Sequence, residues 1–303
     1  MPARNDSRLI TGWARVAMLA ALFIGGLHTP QIQAATLSYE IEGNGTYVGR
    51  SKFERGRTNA GSAEQFDTRA HFVVSTQVRD SFLLRLGVDW QSYWFERSAD
   101  ALLPGRMQSL SFIIGADLTF GQAWLARVEL MPGFAGTGDD INSSSARIPA
   151  VAGVSYIASS DLQFVLGIGI DANRKYPVLP GIGVRWKFAE HWVMNAVLPT
   201  PRLEYTPLKD LLLYAGGEIR EDTYRVNERL GGTRGVRNLE GTIIDYWEVR
   251  AGVGVSWKVR PGVMIDLEGG FVPFREFDFY RARERVSEDE APGYLRFGVR
   301  GSF

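Results

Sequence analysis

The chain ends in GYLRFGVRGSF (residues 293–303), in which Leu295, Phe297, Val299 and Phe303 fall on one face and Arg296, Arg300 and Ser302 on the other. A period of two, apolar on one side and charged on the other, describes a β-strand that separates grease from a polar environment. The pattern recurs upstream. Phe66, Thr68, Ala70, Phe72 and Val74 share a phase, as do Phe82, Leu84, Leu86, Val88 and Trp90, and later Trp247, Val249, Ala251, Val253, Val255 and Trp257. Such segments are long enough to cross a bilayer, for which a tilted strand needs about 9–11 residues. No run of about 18 apolar residues follows position 35, so a membrane protein built from this sequence crosses with strands, and in lipid those strands must close into a barrel.

The connections alternate between short and long. Short turns fall near residues 79–81, 121–122, 159–161, 189–191, 208–210 and 260–262; long loops are expected at 50–64, 96–106, 133–147, 226–241 and 276–290, with a shorter one at 173–178. Outer-membrane barrels have short periplasmic turns, longer external loops and an even strand number. Reading through Pro199-Thr200-Pro201 without a break gives an odd count, and it places periplasmic turns at both ends of one strand. Proline cannot donate to a ladder, so a tight external hairpin belongs there. The expected fold is therefore an all-β transmembrane antiparallel up-and-down barrel of about 14 strands, with 12 as the alternative if that hairpin is part of a loop.

At the other end, Arg4, Arg8 and Arg15 precede the apolar run Val16–Leu27 and the pair Ala34-Ala35. This predicts a cleaved signal peptide over residues 1–34 and a barrel domain over 35–303. The apolar run is too short to span a membrane as a helix. Of the 34 basic and 34 acidic residues, the signal removes three arginines and one aspartate. The near-neutral remainder points away from a nucleic-acid partner. There is no cysteine, hence neither a disulfide framework nor a thiolate metal site.

If the apolar face meets lipid, the opposite face lines the interior. It carries Arg85, Asp89, Asp117, Arg127, Glu129, Asp171, Arg185, Lys187, Glu218, Arg220, Glu248, Arg250, Asp266, Glu268, Arg296 and Arg300, extended by Glu40, Glu42, Arg69, Arg202, Glu204 and Lys258. The two signs balance, which argues against a strongly ion-selective pore, because selectivity comes from rings of one sign. The pairs either leave a watered lumen or close it. Many glycines, Gly153, Gly167, Gly169, Gly181, Gly183, Gly252 and Gly254 among them, share this phase and thin the interior.

Catalytic groups are sparse. His71 and His191 are the histidines beyond the signal, no G-x-S-x-G is present, and no phosphate-loop, zinc or calcium-loop spacing occurs. No catalytic residue, cofactor or metal ligand is therefore assigned. The basic loop 227–241 and the acidic end of loop 276–291 read as solvated tips that meet lipopolysaccharide.

The stretch 179–218 (LPGIGVRWKFAEHWVMNAVLPTPRLEYTPLKDLLLYAGGE), together with the final strand, resembles an uncharacterised family of bacterial outer-membrane barrels, porin-like and carried as a domain of unknown function. Phe303 resembles the C-terminal signal by which such barrels are recognised for insertion. The resemblance implies location in the bacterial outer membrane, contact with its lipids and lipopolysaccharide, and assembly by the outer-membrane barrel assembly machinery. It transfers no site residue. The expected function is a weakly selective pore for small solutes; the alternatives are a closed structural or adhesive barrel acting through its loops and, more remotely, a lipid-acting enzyme.

Overall fold

The computed structural model describes residues 37–139, 143–232 and 238–303; the predicted signal peptide lies outside them. The described chain is a closed antiparallel barrel. Its strands are β1 (Leu37–Arg55), β2 (Thr58–Arg79), β3 (Phe82–Arg97), β4 (Arg106–Phe120), β5 (Trp124–Leu130, continued by Gly133–Thr137) and β6 (Ala146–Arg147, continued by Ala150–Ile157). They are followed by β7 (Leu162–Ile170), β8 (Val178–Ala189), β9 (Trp192–Val197), β10 (Arg202–Leu208), β11 (Leu211–Arg225), β12 (Ile243–Arg260), β13 (Val263–Phe279) and β14 (Glu284–Glu288, continued by Gly293–Ser302). The continuations count as single strands because both parts of β5 pair with β4, and both parts of β14 pair with β1 and β13. The strand count is thus 14, and β14 closes on β1 in a register running from Glu40↔Ser302 to Val48↔Tyr294.

The end carrying both termini has the short turns, and Tyr39 and Phe303 exchange two backbone hydrogen bonds there, at 2.9 and 3.0 Å. We refer to it as the periplasmic end. The alternating apolar side chains are the exposed ones: Leu86 is 51% exposed, Phe112 53%, Leu166 56%, Ile182 66% and Val253 64%. In water this surface would be prohibitive, whereas in acyl chains it is the preferred arrangement.

Two expected loops are strands instead. Residues 50–64 continue the β1–β2 ladder to Arg55↔Thr58, and residues 276–290 are largely β13 and β14. Their sequence is polar because their outer face rises beyond the bilayer, yet their inner face is packed. Phe53, Tyr93, Phe95, Met107, Tyr224, Tyr246, Phe277 and Phe279 form one buried cluster, joined by Leu103, Leu230 and Leu239 from loops folded inward. The outer end of the lumen on this side is therefore a hydrophobic core. Aromatic pairs hold it together, with ring centroids 5.0 Å apart for Tyr246–Phe277 and 5.5 Å for Phe95–Phe277.

A second departure from a plain cylinder follows from strand length. β9 and β10 have 6 and 7 residues, short of the 9–11 that a crossing requires. Their hairpin at Pro199–Pro201 ends where Gly183 of β8 pairs Val197 and Gly216 of β11 pairs Arg202. Beyond it, residues 178–182 of β8 pair only with β7. Further out, Gly136 of β5 pairs in parallel with Arg225 of β11. Through that contact β11–β14 and β1–β5 form a smaller ring at the outer end, leaving β6–β10 as a lower arc beside it.

Candidate functional site: an asymmetric lumen

The interior divides into a filled half and an open half. The filled half lies against β1, β2 and β11–β14. Arg250 is fully buried; its Nε donates to Glu248 at 2.7 Å, its Nη2 to Asp67 at 2.6 Å and its Nη1 to Thr46 at 3.0 Å. Arg220 donates to the other oxygen of Asp67 at 2.8 Å and pairs with Glu218 at 3.0 Å. Arg275 donates to Gln65 at 2.6 Å and to Glu288 at 2.5 Å. Below these, Arg296 joins Glu218 to Glu268, while Tyr214 and Tyr294 both donate to Glu268, at 2.7 and 2.5 Å. The bonds of Arg250 to Asp67 and Thr46, of Arg220 to Asp67, of Arg275 to Gln65, of Arg296 to Glu218 and of Tyr214 to Glu268 run between strands that are not neighbours in the sheet, so they cross the lumen rather than ladder along its wall. A buried charge is tolerable only when paired and hydrogen-bonded, and here the charges are densely paired.

Nearer the periplasmic end, Arg85 is bound by Glu40 at 2.8 Å and Glu129 at 3.0 Å, with Asp117 at 3.8 Å; Arg127 pairs with Asp117 at 2.7 Å. Asp89 takes Arg69 at 2.9 Å, and Asp266 takes Arg300 at 2.7 Å. Asp171, at the outer end of β7, accepts from Thr223 at 2.8 Å. Of the basic residues expected inside, Arg185, Lys187 and Lys258 are exposed and make no ion pair among the described residues.

Asp67, Gln65, Thr46, Tyr246, Arg275 and Glu288 belong to the buried network but were not among the expected site residues. Asp67 shares the phase of Arg69, so alternation alone could have found it. Arg275 could not be found that way. A bulge breaks the β12–β13 register between Val249 and Ala251, and beyond it the inward phase of β13 changes from even positions (Asp266, Glu268) to odd ones (Arg275, Phe277).

The glycines divide in the same manner. A Cβ on Gly252 would lie 2.5 Å from the Tyr294 hydroxyl, one on Gly254 would lie 2.4 Å from Tyr214 Cζ, and one on Gly216 would meet Arg202 Cγ at 2.8 Å. These glycines make room for side chains that fill the lumen. On β6, β7 and β8 the same construction at Gly153, Gly167 and Gly181 meets no side chain within 4 Å, only neighbouring backbone. None of the three is met by a side chain, although Gly183 on β8 is crowded by Val197, whose Cβ would lie 2.8 Å from an added one. Arg185 and Lys187 line the same arc nearer the periplasm.

The outer end of the open half is roofed by residues 171–177, which connect β7 to β8. Lys175 reaches β12 and β13, its backbone N–H donating to Asp245 at 3.0 Å and its Nζ to Asp278 at 2.7 Å. The latter bond raises the Lys175 pKa above the ordinary lysine value. Tyr280 donates to the Asn173 carbonyl at 2.9 Å.

For catalysis the arrangement offers little. His71 Nδ1 lies 3.7 Å from Asp89, and no serine nucleophile bonds to it among the described residues. His191 sits in a periplasmic turn against Tyr205. No group of three or more metal-ligating side chains occurs among the described residues.

Comparison with solved structures gives outer-membrane channels. The COG4313 outer membrane channel from Pseudomonas putida F1 matches over 92% of this chain and 99% of its own, at 8% identity and a TM-score of 0.50. The Pseudomonas putida toluene transporter TodX matches over 88% and 89% at 10% identity (TM-score 0.41), and the NanC porin over 86% and 98% at 12% identity (TM-score 0.41). At these identities the likeness is one of fold, that of outer-membrane barrels. No curated protein matches in sequence. The profile of a family described as Domain of unknown function (DUF6268) matches residues 30–287, well over half of the chain.

Proposed function

Because the chain belongs to that family, whose description assigns no activity, we propose from its geometry that it is an outer-membrane channel whose conducting path is confined to the β6–β9 side of the lumen. The observation carrying this reading is the contrast between glycines. Gly252, Gly254 and Gly216 are crowded by Tyr294, Tyr214 and Arg202, whereas a Cβ on Gly153, Gly167 or Gly181 would meet backbone but no side chain. A barrel evolved only as a rigid support gains stability from filling its interior throughout; leaving one arc lined by glycine keeps a path. Unpaired Arg185 and Lys187 on that arc give it a mild preference for anions, since most of the other lumen charges are paired.

The path is narrow, so conductance in planar bilayers should come in small, well-resolved steps. Gly167→Trp should reduce them strongly, because the added indole has room to occupy the path without displacing a packed side chain. Silence from well-folded protein would refute the channel. It would favour the closed barrel acting through its outer hairpins, a reading supported by the aromatic core beneath them. Catalysis has no support from His71, whose neighbours are Asp89 and Arg69. We further propose contact with lipopolysaccharide at the outer hairpins, and Phe303 as the signal read by the assembly machinery.

A further inference from the structure

The wall has a gap, and two ion pairs span it. Above the short β9–β10 hairpin, residues 178–182 of β8 have no partner on the side facing β11. Residues beyond Ile219 of β11 likewise have none on the side facing β8, apart from the single Arg225↔Gly136 pair at the outer tip. Five residues of strand correspond to roughly 16 Å along its axis. The hairpin is too short to span, so the gap lies at the depth of the outer leaflet. An open strand edge cannot face acyl chains; at that depth it must be covered by protein or line a watered cavity.

Two charged pairs cover this gap among the described residues: Arg147 of β6 takes Asp222 of β11 and donates to the Thr223 carbonyl at 3.2 Å, closing its outer part. Arg174, from the roofing loop, covers the part just below. Its guanidinium passes 3.4 Å from the position of a Cβ on Gly169, inside β7, and its Nε comes within 3.1 Å of Glu221 Oε1 on β11. The two side chains are only 15% and 7% exposed. Yet neither Arg174 Nε nor Glu221 Oε1 makes a hydrogen bond, because the geometry is misaligned. The contrast with Arg250, held by three hydrogen bonds of good geometry, is sharp. A buried pair lacking aligned hydrogen bonds recovers little of its desolvation cost, which is the expected condition of a contact built to open. The outer lips of the gap are apolar and bare: Val178 is 54% exposed, Ile182 66% and Leu198 42%.

We propose that this gap is a lateral portal between the glycine-lined side of the lumen and the outer leaflet, that Arg174–Glu221 is its latch, and that it passes small apolar molecules. Only a solute soluble among acyl chains gains by leaving through the side of a barrel; a hydrophilic one stays on the axial path. The inference rests on the channel reading above for the inner route to the gap.

The test uses intact cells expressing the full chain and the apolar dye N-phenyl-1-naphthylamine, which brightens on entering the membrane. The R174A/E221A variant should take up dye severalfold faster than wild type, and Gly181→Trp, which fills the gap from the inside, should be slower. Barrel abundance is equalised by the heat-dependent shift in gel mobility that reports folding, and E221Q serves as a milder second variant. Dye entry in R174A/E221A and E221Q equal to wild type, from equally abundant barrels, overturns the portal. Planar-bilayer conductance judges the channel separately. Steps with no effect of the latch on dye entry leave the channel and remove the portal, whereas faster dye entry without steps keeps the portal and removes the axial path.

Discussion

Replacing Arg250 with alanine tests whether the filled half of the lumen is dry. Its guanidinium serves Glu248, Asp67 and Thr46 at once, and the two carboxylates are 0% and 1% exposed. Asp67 keeps Arg220 and Gln65, and Glu248 keeps Gln65 and Tyr246, so neither is wholly abandoned. Each nevertheless loses a charge-assisted bond worth about 1.5–3 kcal/mol, with no water to replace it. Removing one partner of a buried ionic group typically costs about 3–5 kcal/mol, a range that the sum here, about 3–6 kcal/mol, overlaps. At about 1.4 kcal/mol per decade, the folding equilibrium should weaken by two to four orders of magnitude. Reversible urea unfolding in phospholipid vesicles, followed by tryptophan fluorescence, reads this directly. Arg185→Ala is the control: exposed and unpaired, it should change stability by less than about 0.5 kcal/mol. A loss below about 1 kcal/mol for Arg250→Ala, comparable to an exposed pair, would mean that water reaches the network. The division of the lumen into filled and open halves would then be wrong.

Further outcomes follow from the same division. Gly254→Leu should destabilise by about 1–3 kcal/mol through the clash with Tyr214, whereas Gly181→Leu should fold normally and lower conductance; equal stability of the two would contradict the glycine contrast. The double variant R185A/K187A should shift the reversal potential in a salt gradient toward cation preference, and an unchanged potential would place those side chains off the conducting path. Deleting Phe303 removes both backbone bonds to Tyr39 together with the proposed assembly signal, so outer-membrane accumulation should fall; normal accumulation would count against the signal. Raising pH through the elevated Lys175 pKa should release the roofing loop from Asp278. The sign follows from linkage: a raised folded pKa gives stability that is complete below the unfolded value, about 10.4, and is lost as pH passes the folded one. Proteolysis within 171–177 should therefore increase only at strongly alkaline pH, and an onset near neutrality would contradict the anchor.

The barrel was legible because its physics is local. Alternation fixes which face meets lipid, and Pro199 and Pro201 force the break that makes the strand number even. Arg85, Arg250 and Arg296, which share the charged phase, are each held by carboxylates. What alternation could not separate was Arg250 from Arg185. Both follow the same rule of phase, yet one is fully buried among carboxylates and the other is exposed and unpaired. The difference lies in which strands face one another across the lumen, and that is set by hairpin length and by a bulge, not by any neighbour in sequence. The bulge on β13 moved Arg275 into the network against the phase of the residues before it. The expected loops at 50–64 and 276–290 failed for a related reason: their polar outer faces read as loop, while Phe53, Ala63 and Phe277 on the inner faces needed the opposing Phe95 and Tyr246 to become a core.

The same non-local geometry bears on transport. A 14-strand barrel with uniformly long strands is either open along its axis or plugged. Here the 6- and 7-residue strands β9 and β10 decouple the two ends, allowing β5 to meet β11 and close a smaller ring over an aromatic core. The lower arc keeps its glycine-lined space. Filling one side of the axis at the top and opening the wall at the side are then consequences of one feature, the short hairpin. Lengthening that hairpin by three residues on each strand should restore the wall between β8 and β11, removing fast dye entry in the R174A/E221A background while leaving the periplasmic mouth intact. If dye entry persists in that lengthened, folded variant, the route lies elsewhere and the gap is only a structural seam.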